Sequence, residues 1–331
     1  MNETPSCIET SFFHSKSLNG VAWHLWGQLA PWAAGLLLLG LLIRLPVYPF
    51  QGLYQSSLEA APCAIAAIIA IAFPLAALNT WLHFGLPLFG LNNVALSTLL
   101  GACSLAGALQ ASFSLRSQSD LKRMVASLSS IMLCMAGIGL STQSRDGVRG
   151  AWLLVISQAI TVASGMFIVQ MLEVRFGTRD LNLLSRHIKA APRVTALLIL
   201  LLYTCTGVPV ILAFSAVYLQ LSAMSGNLWL IGGASGALAM LAWATIKTLS
   251  QIMAASSASP AIELNDARQP VRRQPDLARA EACAIIPLMV VAILITVAPT
   301  AVTNRCEPTL QRLFGRTNAH ATVSTVGPTA R

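Results

Sequence analysis

Eight stretches of this chain are apolar over lengths that suit a bilayer core, which takes ~20 residues of helix at ~1.5 Å rise each. They fall near 24–43, 61–82, 87–114, 124–142, 151–172, 194–219, 227–249 and 283–301. Only 10% of the 331 residues are charged, against ~25% in soluble domains. Almost all polar residues lie in the connections. The reading is therefore an all-α polytopic membrane protein of about eight transmembrane helices, with no sizeable soluble domain. The longest runs are expected to tilt or to carry a break, such as one at Pro209.

One connection is unusual. Between the first two runs the chain reads Arg44-Leu45-Pro46-Val47-Tyr48-Pro49-Phe50-Gln51-Gly52-Leu53-Tyr54, then Glu59-Ala60-Ala61-Pro62. Each proline removes a backbone donor and clashes one turn back. In lipid such breaks survive only where protein or a wet cavity satisfies the freed groups. Arg44 sits at the break. Its plainest role is to reach the interface with its charged end.

Basic residues set the orientation. Assigned to alternate gaps, the 21 lysines and arginines divide two to one. The richer side takes Arg44, Arg116, Lys122, Arg123, Arg179 and Lys247 among others, and the poorer side takes Lys16, Arg145, Arg149 and Arg305 among others. The positive-inside rule turns the richer side to the cytoplasm or matrix and both ends outward. The net charge of +9 then reflects loops facing an anionic leaflet, with the lipid bilayer rather than nucleic acid as partner. Residues 1–23 read as an external segment without a cleavable leader. Residues 24–302 form the transmembrane domain, with a flexible cytoplasmic linker at 258–281. Residues 303–331 read as a disordered external tail.

No redox cofactor or metal is indicated. The seven cysteines show no CxxC spacing and fall mostly in apolar runs, where cysteine behaves as a small hydrophobe. Neither GxGxxG nor a P-loop is present. All 12 carboxylates lie in connections or at helix ends. The cations near membrane depth are Arg44, the Lys122–Arg123 pair and Lys247. Lys122 begins a helix, which suggests an interface anchor with a local ion pair. Gln110, Gln158, Thr161, Ser164 and Gln170 enter the helices, where such groups commonly hydrogen-bond between neighbours.

The Pro46–Gly52 run, Glu59–Pro62 and Phe84-Gly85-Leu86-Pro87-Leu88-Phe89 resemble the antiporter-like M subunit of bacterial NADH–quinone oxidoreductase, complex I. Ser119-Asp120-Leu121-Lys122-Arg123-Met124-Val125-Ala126-Ser127 looks like that family's T-D-[IL]-K-R-L-I-A-Y. The register continues without a gap to Arg175-Phe176-Gly177-Thr178-Arg179-Asp180, which is similar to its R-x-H-T-R-D. The likeness spans roughly residues 29 to 250. It implies long tilted helices, two of them broken, from an inverted-repeat fold. The match is to the second half of that fold, from the family's seventh helix on.

The resemblance also locates a proton path and shows it altered. The family's seventh-helix lysine position holds Arg44, and the histidine positions that follow hold Gln51 and Leu58. The eighth-helix lysine position is Leu75, the tenth-helix histidine position is Met132, the eleventh-helix histidine position is Gln158, and the twelfth-helix glutamate position is Val217. Arginine does not release its proton in a working cycle, and glutamine does not titrate. The path candidates are thus Arg44, Gln51, Lys122, Gln158 and Lys247. The expectation is a membrane-arm subunit beside other subunits of a respiratory complex, structural in role, and meeting quinone only through that complex. As an enzyme it is at most a translocase subunit of NADH:quinone oxidoreductase. An active ion-translocating subunit of complex I, an Mrp-type antiporter or a membrane hydrogenase is the alternative. The expected location is the bacterial plasma membrane or the mitochondrial inner membrane.

Overall fold

The computed structural model describes residues 32, 35–36, 38–85, 94–187, 192–205, 212–257, 287 and 290. The segment 1–23, the linker at 258–281, most of the run 283–301, the tail 303–331 and the break near Pro209 lie outside the described residues. Within them the secondary structure is helical apart from turns and one isolated backbone bridge.

Residues 41–44 end a helix at Arg44. After the proline-bearing turn the chain resumes as α1 (Gln51–Ala60) and α2 (Cys63–Thr80), which runs into a short π-helix at Trp81–Gly85. There follow α3 (Val94–Leu115), α4 (Leu121–Ser141), α5 (Arg145–Phe176), α6 (Leu181–His187), α7 (Pro192–Cys205), α8 (Leu212–Ala223) and α9 (Leu228–Ser257). Five helical spans among the described residues are long and apolar enough to cross a membrane: Cys63–His83, Ser97–Leu115, Leu121–Ser141, Arg145–Phe176 and Leu228–Met253. The described parts of the run read at 194–219 belong to α7 and α8, on either side of residues outside the described set.

α4 is the hub. It packs on α1, α3 and α5, and apart from Arg123 every residue of it is buried. Its serines, alanines and glycines let neighbouring helices approach it closely. α8 packs on α5, and α9 on α3. α3 meets α4 through small residues. A β-carbon on Gly137 would stand 2.5 Å from Ser104 Oγ, and one on Gly107 would stand 2.8 Å from Cys134 Sγ and 3.0 Å from Gln51 Oε1. Close approach of two membrane helices requires residues of this size.

The caps follow from sequence. The Asp120 side chain accepts from the backbone N–H groups of Lys122 and Arg123 at the start of α4. Ser144 accepts from the Gly147 N–H at the start of α5. α5 ends at Gly177 in the left-handed conformation, φ 67°, where a residue without a β-carbon is favoured. Just beyond, Arg179 pairs with Glu173 at 2.6 Å. The hydrogen bond that the guanidinium donates to Glu173 holds it above its ordinary pKa.

The two motifs that carry the resemblance lie side by side. Asp120 and Asp180 form an antiparallel bridge, with Leu121 N donating to Arg179 O at 3.0 Å and Leu181 N to Ser119 O at 2.8 Å. The cavity lined by Arg116, Ser119, Asn182 and Lys247 joins the end of α9 to this face. At the opposite face the start of α5 meets the end of α4, and Gln220 of α8 reaches Gly139, Gly147 and Gly150. Arg116, Arg123, Arg179 and Lys247 thus share one face, and Arg145 and Arg149 belong to the other. The alternation read from charge holds for these residues.

Candidate functional site

α1 is ten residues long and ends against the start of α4. At ~1.5 Å per residue the break before it lies about 15 Å from that face. This is half of a bilayer core of ~30 Å. Leu45 and Val47 of the break are fully buried, Pro46 is buried, and the Pro46 carbonyl accepts a hydrogen bond from Cys134 Sγ at 3.5 Å. Val47 N donates to Leu42 O at 3.2 Å and Phe50 N to Val47 O at 2.7 Å. Protein therefore satisfies the interrupted backbone, as membrane depth requires. Arg44 is exposed at this level and forms no ion pair among the described residues.

Lys122 departs from its expected role more sharply. It is only 2% exposed. Its ammonium donates to the carbonyl of Glu59 at 2.7 Å and to that of Ala61 at 2.5 Å. These carbonyls belong to the C-terminal end of α1, where a helix leaves acceptors unsatisfied and presents negative partial charge. The residue that reaches outward is Arg123, which pairs with the Glu59 carboxylate at 2.6 Å. The anchor and the ion pair thus fall to Arg123, while Lys122 closes the helix end from inside. Sequence spacing cannot separate these roles, because which of two adjacent cations faces inward depends on the rotation of α4.

Further along α1, Tyr54 OH and Ser129 Oγ share a hydrogen bond of 2.8 Å, both residues buried. One turn earlier Gln51 is buried, and its Oε1 has no hydrogen-bond partner. Gln158 on α5 is buried with Nε2 unpartnered, and so is Ser104 Oγ on α3. Gln220 on α8 is fully buried with both amide atoms unpartnered. Gln220 was not singled out in the sequence. The available signal was a glutamine within the apolar run of α8, one turn beyond Val217.

The structure gathers Gln51 and Lys122 along α1 and α4. Arg44 and Lys247 are exposed, and Lys247 lines a separate hollow with Arg116 and Ser119. Of the other polar helix residues, Thr161 and Ser164 bond to carbonyls of their own helix, at Ser157 and Ile160. Gln110 and Gln170 face outward. The interhelical role expected of these four is not what the structure uses. At the positions where the resemblance places titratable groups, Leu58 is completely buried, Met132 is 3% exposed, and Leu75 and Val217 are half-buried.

Comparison with known proteins gives the architecture its family. The family described as NADH:quinone oxidoreductase/Mrp antiporter, TM, matches residues 13–242. The chain belongs to that family. It is similar to NADH-ubiquinone oxidoreductase chain 4 of Chondrus crispus, 26% identical over 151 residues, which is 45% of this chain and 30% of that protein. Its fold is similar to a chain in the structure of respiratory complex I from Thermus thermophilus with bound NADH, with a TM-score of 0.72 and 18% identity over 86% of this chain and 58% of that one. A chain of the Mrp complex from Dietzia sp. DQ12-45-1b has a TM-score of 0.69 and 14% identity, with 85% of this chain and 59% of that one covered. The chain spans little more than half the length of these structural relatives. The match takes in both the helix broken at Pro46–Pro49 and the paired Asp120 and Asp180 segments. The side chains at the positions matched above are this chain's own.

Proposed function

We propose that this chain is a membrane-arm subunit of a respiratory, complex I-like assembly, and that it serves there as a structural element without carrying protons across the membrane by itself. The observation that carries this reading is the packing of Leu58 and Met132, both buried and apolar, where relatives of this type are expected to hold histidines. A stepwise proton path needs titratable or water-linked groups in sequence, and ionisable groups at membrane depth persist chiefly where function demands them. Lys122, the one buried lysine among the described residues, has its ammonium held by two carbonyls that end a helix. Partners are the other membrane subunits and the lipid, and quinone is met only through the complex. The bacterial plasma membrane is the favoured location, with the mitochondrial inner membrane as the alternative.

A second reading, an active ion-translocating subunit, draws on the buried amides of Gln51, Gln158 and Gln220, whose unpartnered atoms are of the kind that hold water. Against it, these amides are carried by three different helices, and Leu58 and Met132 hold two of the matched path positions. The assembly role is tested by extracting the tagged chain from its native membranes in mild detergent. Co-migration with redox subunits in a large complex is expected. A chain that migrates alone at every detergent concentration contradicts it.

A further inference from the structure

The charge-rich face holds a feature that the broken helix and its neighbours do not use. A cavity of about 170 Å³ lies where the end of α3, the start of α6 and the last third of α9 converge. Its walls carry two cations, Arg116 and Lys247, with neutral donors at Ser119, Asn182, Thr248 and Gln251. No carboxylate is among its described walls. The nearest carboxylates in sequence, Asp120 and Asp180, accept backbone N–H groups at the starts of α4 and α6. Neither Arg116 nor Lys247 forms an ion pair among the described residues. Two cations around a polar hollow, with no carboxylate among its described walls, select an anion with several acceptor oxygens.

Depth and surroundings narrow the class. The Arg116 guanidinium stacks on Trp243, 4.7 Å from the ring centroid. Trp243 is 55% exposed and Ile246 61%. Both lie on α9 on the membrane side of Lys247, so an apolar strip leads directly from the cavity toward the bilayer interior. Tryptophan at this level is typical of the lipid–water boundary. A basic pocket between helix ends at the inner face, continuous with an exposed apolar strip, matches a lipid with a phosphate head and acyl tails.

We propose that this cavity binds the phosphate of an anionic phospholipid, with Arg116 and Lys247 contacting its oxygens and an acyl chain lying along Trp243 and Ile246. Free phosphate shares the head-group chemistry but has nothing to place on the strip. The test uses the purified full chain, with native mass spectrometry of bound phosphatidylglycerol and phosphatidylcholine and with inorganic phosphate as competitor. About tenfold preference for phosphatidylglycerol is expected, unaffected by millimolar inorganic phosphate. Arg116→Gln combined with Lys247→Gln abolishes the preference, while Arg123→Gln, on the same face but outside the cavity, keeps it. If the double variant loses its helical circular dichroism, the comparison of Lys247→Gln with Lys247→Arg replaces it, and only the second is expected to keep the preference. Equal retention of the two lipids overturns the proposal, as does a preference that survives removal of the cations. Displacement of the lipid by inorganic phosphate identifies a site for soluble oxyanions and also overturns it.

Discussion

The ammonium of Lys122 lies 2.7 Å from the carbonyl oxygen of Glu59, 63 residues earlier in the chain. With its second bond to the Ala61 carbonyl, it fastens the last turn of α1 to the first turn of α4. α1 is only ten residues long and follows a break, so it has little stability of its own. Two charge-assisted bonds at its end are a substantial part of what holds it in place.

Replacing Lys122 with methionine leaves two carbonyls without their donor at a buried site. Hydrogen bonds to charged groups are worth ~1.5–3 kcal/mol each, so losing both is expected to cost about 3–6 kcal/mol. The measurement is thermal unfolding of the purified chain beside assembly of its complex. Arg123→Ala removes a solvent-exposed ion pair with Glu59 and is expected to leave stability nearly unchanged. If Lys122→Met leaves stability and assembly intact while coupled proton transport is lost, the lysine acts in transport rather than in capping.

Gly137 tests the contact between α3 and α4. A β-carbon there meets Ser104 Oγ at 2.5 Å, Ser104 Cβ at 3.2 Å and Leu45 Cδ2 at 3.3 Å, and Ser104 is fully buried. Gly137→Ala is expected to destabilise by about 1–3 kcal/mol through overpacking. The double change Gly137→Ala with Ser104→Ala relieves the clash and recovers part of the loss. A stable single variant would mean that the helices sit farther apart.

Topology gives a third outcome. The bridge between Asp120 and Asp180 puts the α3–α4 and α5–α6 connections on one face. The positive-inside rule turns that face to the cytoplasm. Reporter fusions after residue 180 should therefore read cytoplasmic, and fusions after residue 225 should read external. The reverse pattern would invert the assigned orientation.

What could be read in the sequence follows from which forces act locally. Apolar runs long enough to span and the proline break announce themselves, because bilayer thickness and the missing proline donor act on short segments. The charge alternation of Arg116, Arg123, Arg179 and Lys247 against Arg145 and Arg149 was legible for the same reason. The division of labour between Lys122 and Arg123 was not, because it depends on the rotation of α4 against α1. Nor was the burial of Gln220, which rests on Gly139, Gly147 and Gly150 leaving space for its side chain.

The central claim is that Leu58, Leu75, Met132 and Val217 interrupt the path that titratable groups would need, with Arg44 unable to pass a proton on. It is tested most directly by reconstituting the purified chain in liposomes with a trapped pH dye and imposing a potential. Proton flux indistinguishable from protein-free liposomes is expected. Flux well above that level, abolished by Arg44→Ala, would contradict it.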